Sequence, residues 1–144
     1  MMQSNLTLAQ RRIAGEIWEL LLGHTEGFTL RSTGEPIDFK TGYVVSINGA
    51  SITISLLAMS VHTNSSLLPL YELIGPLAIA YSVAAERLTR NRGQEHYIGG
   101  WRDGTVLYLD ISVVIQDLDE ALDFAAHNDQ KAIYDLAKGA SIYR

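Results

Sequence analysis

From Thr105 to Ile115 the chain alternates almost without fault, placing Leu107, Leu109, Ile111, Val113 and Ile115 on one side. A period of two is the period of a β-strand, so this run predicts a long strand with one apolar face. Asp103-Gly104, just before it, is a strong hairpin signal. A two-residue loop there sets Gly100 opposite Leu107, Ile98 opposite Leu109 and His96 opposite Ile111 on the apolar side. On the reverse side Trp101 faces Val106, Gly99 faces Tyr108 and Tyr97 faces Asp110. Such a ribbon buries one face and leaves the other to solvent or a polar partner.

The same reasoning predicts a hairpin around Asn48-Gly49, pairing Ile47 with Ala50, Val45 with Ile52 and Tyr43 with Ile54. A third hairpin runs from Ala132–Leu136 to Ala140–Tyr143 around Lys138-Gly139, and Phe28–Leu30 reads as a short strand. Three helices complete the set. The first opens on a capping box, Thr7 with Gln10, repeats Ala14, Ile17, Trp18 and Leu21 at helical spacing, and can end at Gly23. The second runs from Pro69 to about Arg90, with Gly75-Pro76 either kinking it or marking its start. A polar gap around His62 to Ser66 precedes it, and RLTRNRGQEH after it reads as an exposed linker. The third is capped by Asp117 with Glu120 three residues on, and Leu118, Leu122 and Ala125 form its apolar stripe. Antiparallel hairpins with about three helices packed on them define an α+β fold, and 144 residues make a single domain over 1–144.

The stretch from Leu67 to Ala85 carries one charge, Glu72. Its length would just span a bilayer, but Gly75-Pro76, Tyr71 and Ser82 break its apolar character, so a core helix and no membrane span is expected. The first residues lack the basic-then-apolar order of a secretory signal, and cysteine is absent. The latter removes disulfides, a thiolate nucleophile and thiolate-ligated zinc, and fits a cytoplasmic setting.

Charge is uneven. Residues 1–102 hold eight acidic and eight basic side chains, whereas Asp103 to Asp135 holds eight acids against Lys131 alone. That segment argues against direct nucleic-acid binding and favours a protein partner with a basic surface. Asp119, Glu120 and Asp123 on the third helix are its densest part.

Side chains suited to catalysis are few. His24, His62, His96 and His127 stand in no recognised metal spacing, and no metal or cofactor is expected. His24 and His127 lie at helix ends, where the dipole explains them. A triad of Ser112, His96 and Asp110 fails on register, because His96 falls on the face opposite the other two, and the chain has no nucleophile elbow. Asp110 and Asp135 each follow a tyrosine and form a candidate carboxylate pair, though exposed strand positions explain them as well. Arg87, Arg90, Arg92 and Arg102 read as a solvated helix end, and Gly99-Gly100 lacks the lysine of a phosphate loop. No catalytic residue is assigned.

The C-terminal third carries a pattern of Gly99, Gly100 and Trp101, then Tyr108, Leu109, Asp110 and Ser112, then Ala132, Ile133, Tyr134 and Asp135. It resembles a group of short uncharacterised proteins of actinobacteria, their phages and integrated elements, and residues 27–46 are similar to the same group. The resemblance implies a phage or mobile-element accessory protein and supplies no catalytic residue. The leading expectation is therefore a non-enzymatic viral or mobile-element module that binds a host or phage protein in the host cytoplasm. Tyr97, Trp101, Tyr108, Asp110, Asp119, Glu120 and Asp123 are the candidate binding residues, and self-association is left open. The rival is a small enzyme or ligand-binding domain using the polar hairpin face around Tyr97, Tyr108 and Asp110. A cleft with a perturbed carboxylate on that face would favour the rival.

Overall fold

The computed structural model describes residues 5–56 and 67–144, with side chains described over 5–56 and 72–144. The polar gap expected at His62 to Ser66 lies outside those residues. The elements run α1 (Leu8–Leu22), β1 (Gly27–Leu30), β2 (Tyr43–Ser46), β3 (Ile52–Ser55), α2 (Leu67–Arg92), β4 (Tyr97–Asp103), β5 (Val106–Ile115), α3 (Leu118–His127), β6 (Ala132–Asp135) and β7 (Ala140–Tyr143). All seven strands join one antiparallel sheet, ordered β1-β4-β5-β2-β6-β7, with β3 also on β5. This is an α+β fold, as the alternation and helical periods imply. No helix among the described residues is long and apolar enough to cross a membrane.

The long alternating strand organises everything else. Leu107, Leu109, Ile111 and Val113 are all buried and join one apolar cluster with Ile13, Ile17 and Leu20 of α1, Ala78 and Ala85 of α2, and Ala121 and Ala125 of α3. The three helices among the described residues therefore cover the same side of the sheet. Each fully buried Ile or Leu side chain contributes about 2 kcal/mol to that assembly. The helix ends follow their sequence signals. Thr7 and Gln10 exchange hydrogen bonds of 3.0 and 3.1 Å, Gly23 closes α1 in the left-handed region at φ 80°, and Asp117 accepts from the Glu120 amide at 2.9 Å.

The Asp103-Gly104 hairpin forms, but one step out of the expected register. Asp103 pairs with Val106, so the two loop residues are Gly104 and Thr105, and Trp101 faces Tyr108 while Gly99 faces Asp110. Gly104 alone takes positive φ, at 59°, which suits a turn with glycine at the first central position. Pairing shifts by two residues overall, so every side chain keeps its expected face.

The Asn48-Gly49 hairpin does not form. β2 and β3 lie one after the other along the same edge of β5: Ser46 pairs with Ser112, and Ile52 pairs with Leu109. Residues 47–51 bulge out between them. Gly49 has φ 84°, but Asn48 does not adopt the positive φ that a type I′ turn demands at both positions. The ten-residue β5 offers hydrogen bonds to both flanks, and a tight hairpin would leave part of that edge unpaired. The bulge is held from three sides. Ile47 donates to the Ile111 carbonyl at 2.9 Å, Asn48 donates to Asn128 Oδ1 at 3.0 Å, and the Tyr81 hydroxyl donates to the Ala50 carbonyl at 2.9 Å.

Of the two readings of Gly75-Pro76 the helix start is excluded, because Pro76 lies inside one continuous helix. One further expectation is corrected. The segment read as an exposed linker is helical through Arg92, and its last residue, His96, is 1% exposed. Its amide donates to Thr89 Oγ1 at 2.8 Å, and its ring Nδ1 meets the Gln94 carbonyl at 2.7 Å, so the turn is tied down from both sides.

Candidate functional site

The three described helices lie on one side of the sheet, and the reverse side carries a groove of about 1000 Å³. Strand register dictates what lines it. Gly27, Trp101, Tyr108 and Thr53 stand in one row across four strands, and Thr29, Gly99 and Asp110 in the next. Tyr97, Ser112 and Ser46 form a third row, and Val44 and Tyr134 pair in a fourth. Small residues in the central rows flanked by aromatic rings make the hollow. Asp129, Gln130 and Lys131, between α3 and β6, line it too.

Trp101 and Tyr108 are stacked, with ring centroids 4.3 Å apart and planes 11° from parallel. Trp101 is 46% exposed, because its neighbour on the other side is Gly27, which offers no side chain to cover it. The Asp110 carboxylate lies over the Gly99 backbone, where a Cβ would collide with Oδ1. Ser46 Oγ donates to Asp110 Oδ2 at 2.8 Å. Burial pushes the Asp110 carboxyl above the usual range, and the Ser46 hydrogen bond offsets only part of that rise. Beside it Ser112 is 1% exposed and lines the groove, and its hydroxyl has no hydrogen-bond partner among the described residues. A buried hydroxyl left in that state costs about 1–3 kcal/mol, which makes it a standing demand for a partner.

The candidate residues separate into three places. Trp101, Tyr108 and Asp110 come together in the groove. Tyr97 shares their face of the sheet but is 4% exposed, closed over by the loop between β1 and β2. Phe39 from that loop meets its ring edge-on at 6.0 Å, and the Tyr97 hydroxyl donates to Glu95 Oε1 at 3.1 Å. Arg31 pins the loop through contacts of 2.8 and 2.9 Å to the same carboxylate. Burial first, and the Glu95 contact second, push the Tyr97 hydroxyl up to about 12. Asp119, Glu120 and Asp123 are exposed on α3, which packs on the other face of the sheet.

The acidic segment as a whole does not make one surface. Asp117 caps α3, and Asp135 is buried, with Oδ1 accepting from the amides of Ala137 and Lys138 at 3.0 and 3.3 Å. Asp135 faces the side of β6 opposite to Tyr134, so the candidate carboxylate pair with Asp110 is not assembled. Neither is the triad, since Asp110 is bonded to Ser46 and no described residue bonds the Ser112 hydroxyl. Among the arginines, Arg102 is not a solvated side chain. Its Nη1 donates to the carbonyls of Leu20 and Leu21 at 3.1 and 2.8 Å and closes the C-terminus of α1. Among the described residues no group of three metal-ligating side chains converges.

Sequence reasoning missed Ser46 as a partner of Asp110, because the expected hairpin, with Val45 opposite Ile52 and Ile47 opposite Ala50, sets Ser46 opposite Ser51. The alternation of β2 alone, read against β5, carried that information. Comparison with protein families, curated proteins and solved structures returned no match.

Proposed function

We propose that this chain is a ligand-binding domain whose site is the groove on the face of the sheet opposite the three described helices. The observation that carries the reading is the Asp110 carboxyl, desolvated over Gly99, bonded by Ser46 and set beside the unpartnered Ser112 hydroxyl. A concave site with a few convergent polar groups and a perturbed carboxyl is the usual form of a ligand pocket. Most of the residues that carry the resemblance to phage and mobile-element proteins, from Gly99 to Tyr134, line this same groove. A fragment screen on ¹⁵N-labelled protein tests the reading. Binding fragments should perturb the amides of Gly99, Trp101, Asp110 and Ser112, and hits that perturb only the outer surface of α3 would overturn it.

A second proposal keeps the protein-docking role of a phage or mobile-element accessory protein in the host cytoplasm. It is favoured by one observation: Asp119, Glu120 and Asp123 are exposed together within one face of α3. There a basic partner would be steered chiefly in its association rate. Reversing all three to lysine should slow association with such a partner and blunt its salt dependence, while leaving fragment binding in the groove intact.

A further inference from the structure

We infer that the groove selects an organic ammonium group, held by Asp110 and Ser112 with its carbon stem against Trp101. The inference rests on the groove being a ligand site and adds what chemistry it takes.

Three independent features converge on that class. The first is the state of the acceptors. Asp110 Oδ2 is occupied by Ser46, but no described residue donates to Oδ1, which points over the bare backbone of Gly99. Ser112, a neighbour of Ser46 across the β2–β5 ladder, brings a second oxygen that has no partner among the described residues. An ammonium group has three donors and no acceptor, so it satisfies two such oxygens without creating a new unmet demand.

The second is charge. The ionisable groups lining the groove are Glu26, Asp110, Asp129 and Lys131, apart from the tyrosines. Three acids against one base repel an anion and attract a cation, with the attraction least screened at the desolvated Asp110. Arg31, which pins the loop over Tyr97, is committed to Glu95 and Asp38.

The third is the open face of Trp101. Tyr108 covers one side of the indole, and Gly27 leaves the other bare next to Glu26. An indole face attracts cations and the polarised CH groups beside them, and it packs against an apolar stem. A neutral alcohol would meet the hydrogen-bond demand but gain nothing from the acids. Burial also raises the Asp110 carboxyl, so a cation that arrives must draw the ionised form, and its affinity should rise with pH.

The test is a titration of the whole ¹⁵N-labelled chain with four probes: benzylamine, Nα-acetyl-lysine amide, benzyl alcohol and benzoate. The two cations should move the Gly99, Asp110 and Ser112 amides and the Trp101 indole resonance, with affinities about tenfold or more above benzyl alcohol. Their preference over the alcohol should shrink as pH falls into the usual carboxylate range near 4 and disappear in Asp110→Asn. That change keeps the side-chain shape, and Glu26→Gln at an exposed position gives a smaller loss in the same direction without touching the fold. Tighter binding of benzylamine points to a free amine as the source, and tighter binding of the lysine derivative to a lysine side chain of a peptide. Equal or tighter binding of benzyl alcohol or benzoate at these resonances overturns the ammonium assignment and leaves the groove a ligand site. Silence from all four probes also overturns it, and together with an empty fragment screen removes the ligand-binding reading as well.

Discussion

The carboxylate of Asp110 occupies the space that a side chain on Gly99 would need. The two residues are direct partners across β4 and β5, so the acid is admitted to the sheet face because its neighbour has no Cβ. Gly99→Ala should therefore push Asp110 off Ser46 and destabilise the fold by about 1 kcal/mol, against the gain that alanine normally brings to a strand. In Gly99→Ala/Asp110→Ala the conflict is gone. Denaturant melts of both single variants and the double should give a non-additive cycle, the double being more stable than the sum predicts. Additive effects would mean that the contact carries no energy.

Stability should also depend on pH through Asp110. Its folded carboxyl titrates above the ordinary range near 4, so in that window the native state holds a proton that the unfolded chain has released. The contribution is present below the unfolded value and is lost as pH rises through the folded one. Asp110→Asn removes the loss. Its melting temperature relative to the natural chain should be more favourable at pH 7 than at pH 4, and a difference that is flat across that range would contradict the desolvated carboxyl.

Alkaline pH acts on Tyr81 and Tyr97. Burial holds both hydroxyls up to about 12, with the Asp110 charge adding to the first and Glu95 to the second. A raised folded value contributes stability that is complete below the unfolded value near 10 and disappears as pH rises from there to about 12. Absorbance at the phenolate band should show late-titrating tyrosine, and Tyr97→Phe should lessen the alkaline loss of stability. Ionisation of all tyrosines near 10 in the folded protein would contradict the burial of these two.

Arg102 ties the hairpin to α1 by capping the carbonyls of Leu20 and Leu21. Arg102→Ala should cost about 1–2 kcal/mol, since both the charge–dipole contact and the hydrogen bonds of the helix end are lost. Arg92→Ala, at an exposed position on α2, is the control and should stay within about 0.5 kcal/mol. Equal melting temperatures for the two variants would remove Arg102 from the account.

Gly104 separates the two turn signals of the sequence. It holds φ 59° in a two-residue loop, so Gly104→Val should destabilise by about 1 kcal/mol or more in thermal melts. An unchanged melting temperature would mean the turn tolerates a β-branched residue at positive φ.

What could be read from residues alone follows the locality of the physics. A period of two from Leu107 to Ile115, the Thr7–Gln10 capping box and the Asp117 cap each involve neighbours a few residues apart, and these elements stand where the pattern places them. Faces survive even where partners do not, because a two-residue slip in pairing leaves the alternation intact. The choice of partner is another matter. Asn48-Gly49 is a local turn signal, yet the edge of β5 competes for both of its flanks, and hydrogen bonds to residues some sixty positions away decide the outcome. That competition also brings Ser46 to Asp110 and opens the floor of the groove, while leaving Asp119, Glu120 and Asp123 behind on α3. Local propensity wrote the strands and helices into the chain, whereas the meeting of Asp110, Ser46 and Ser112 beside Trp101 depended on which backbone groups remained unpaired until the whole sheet had closed.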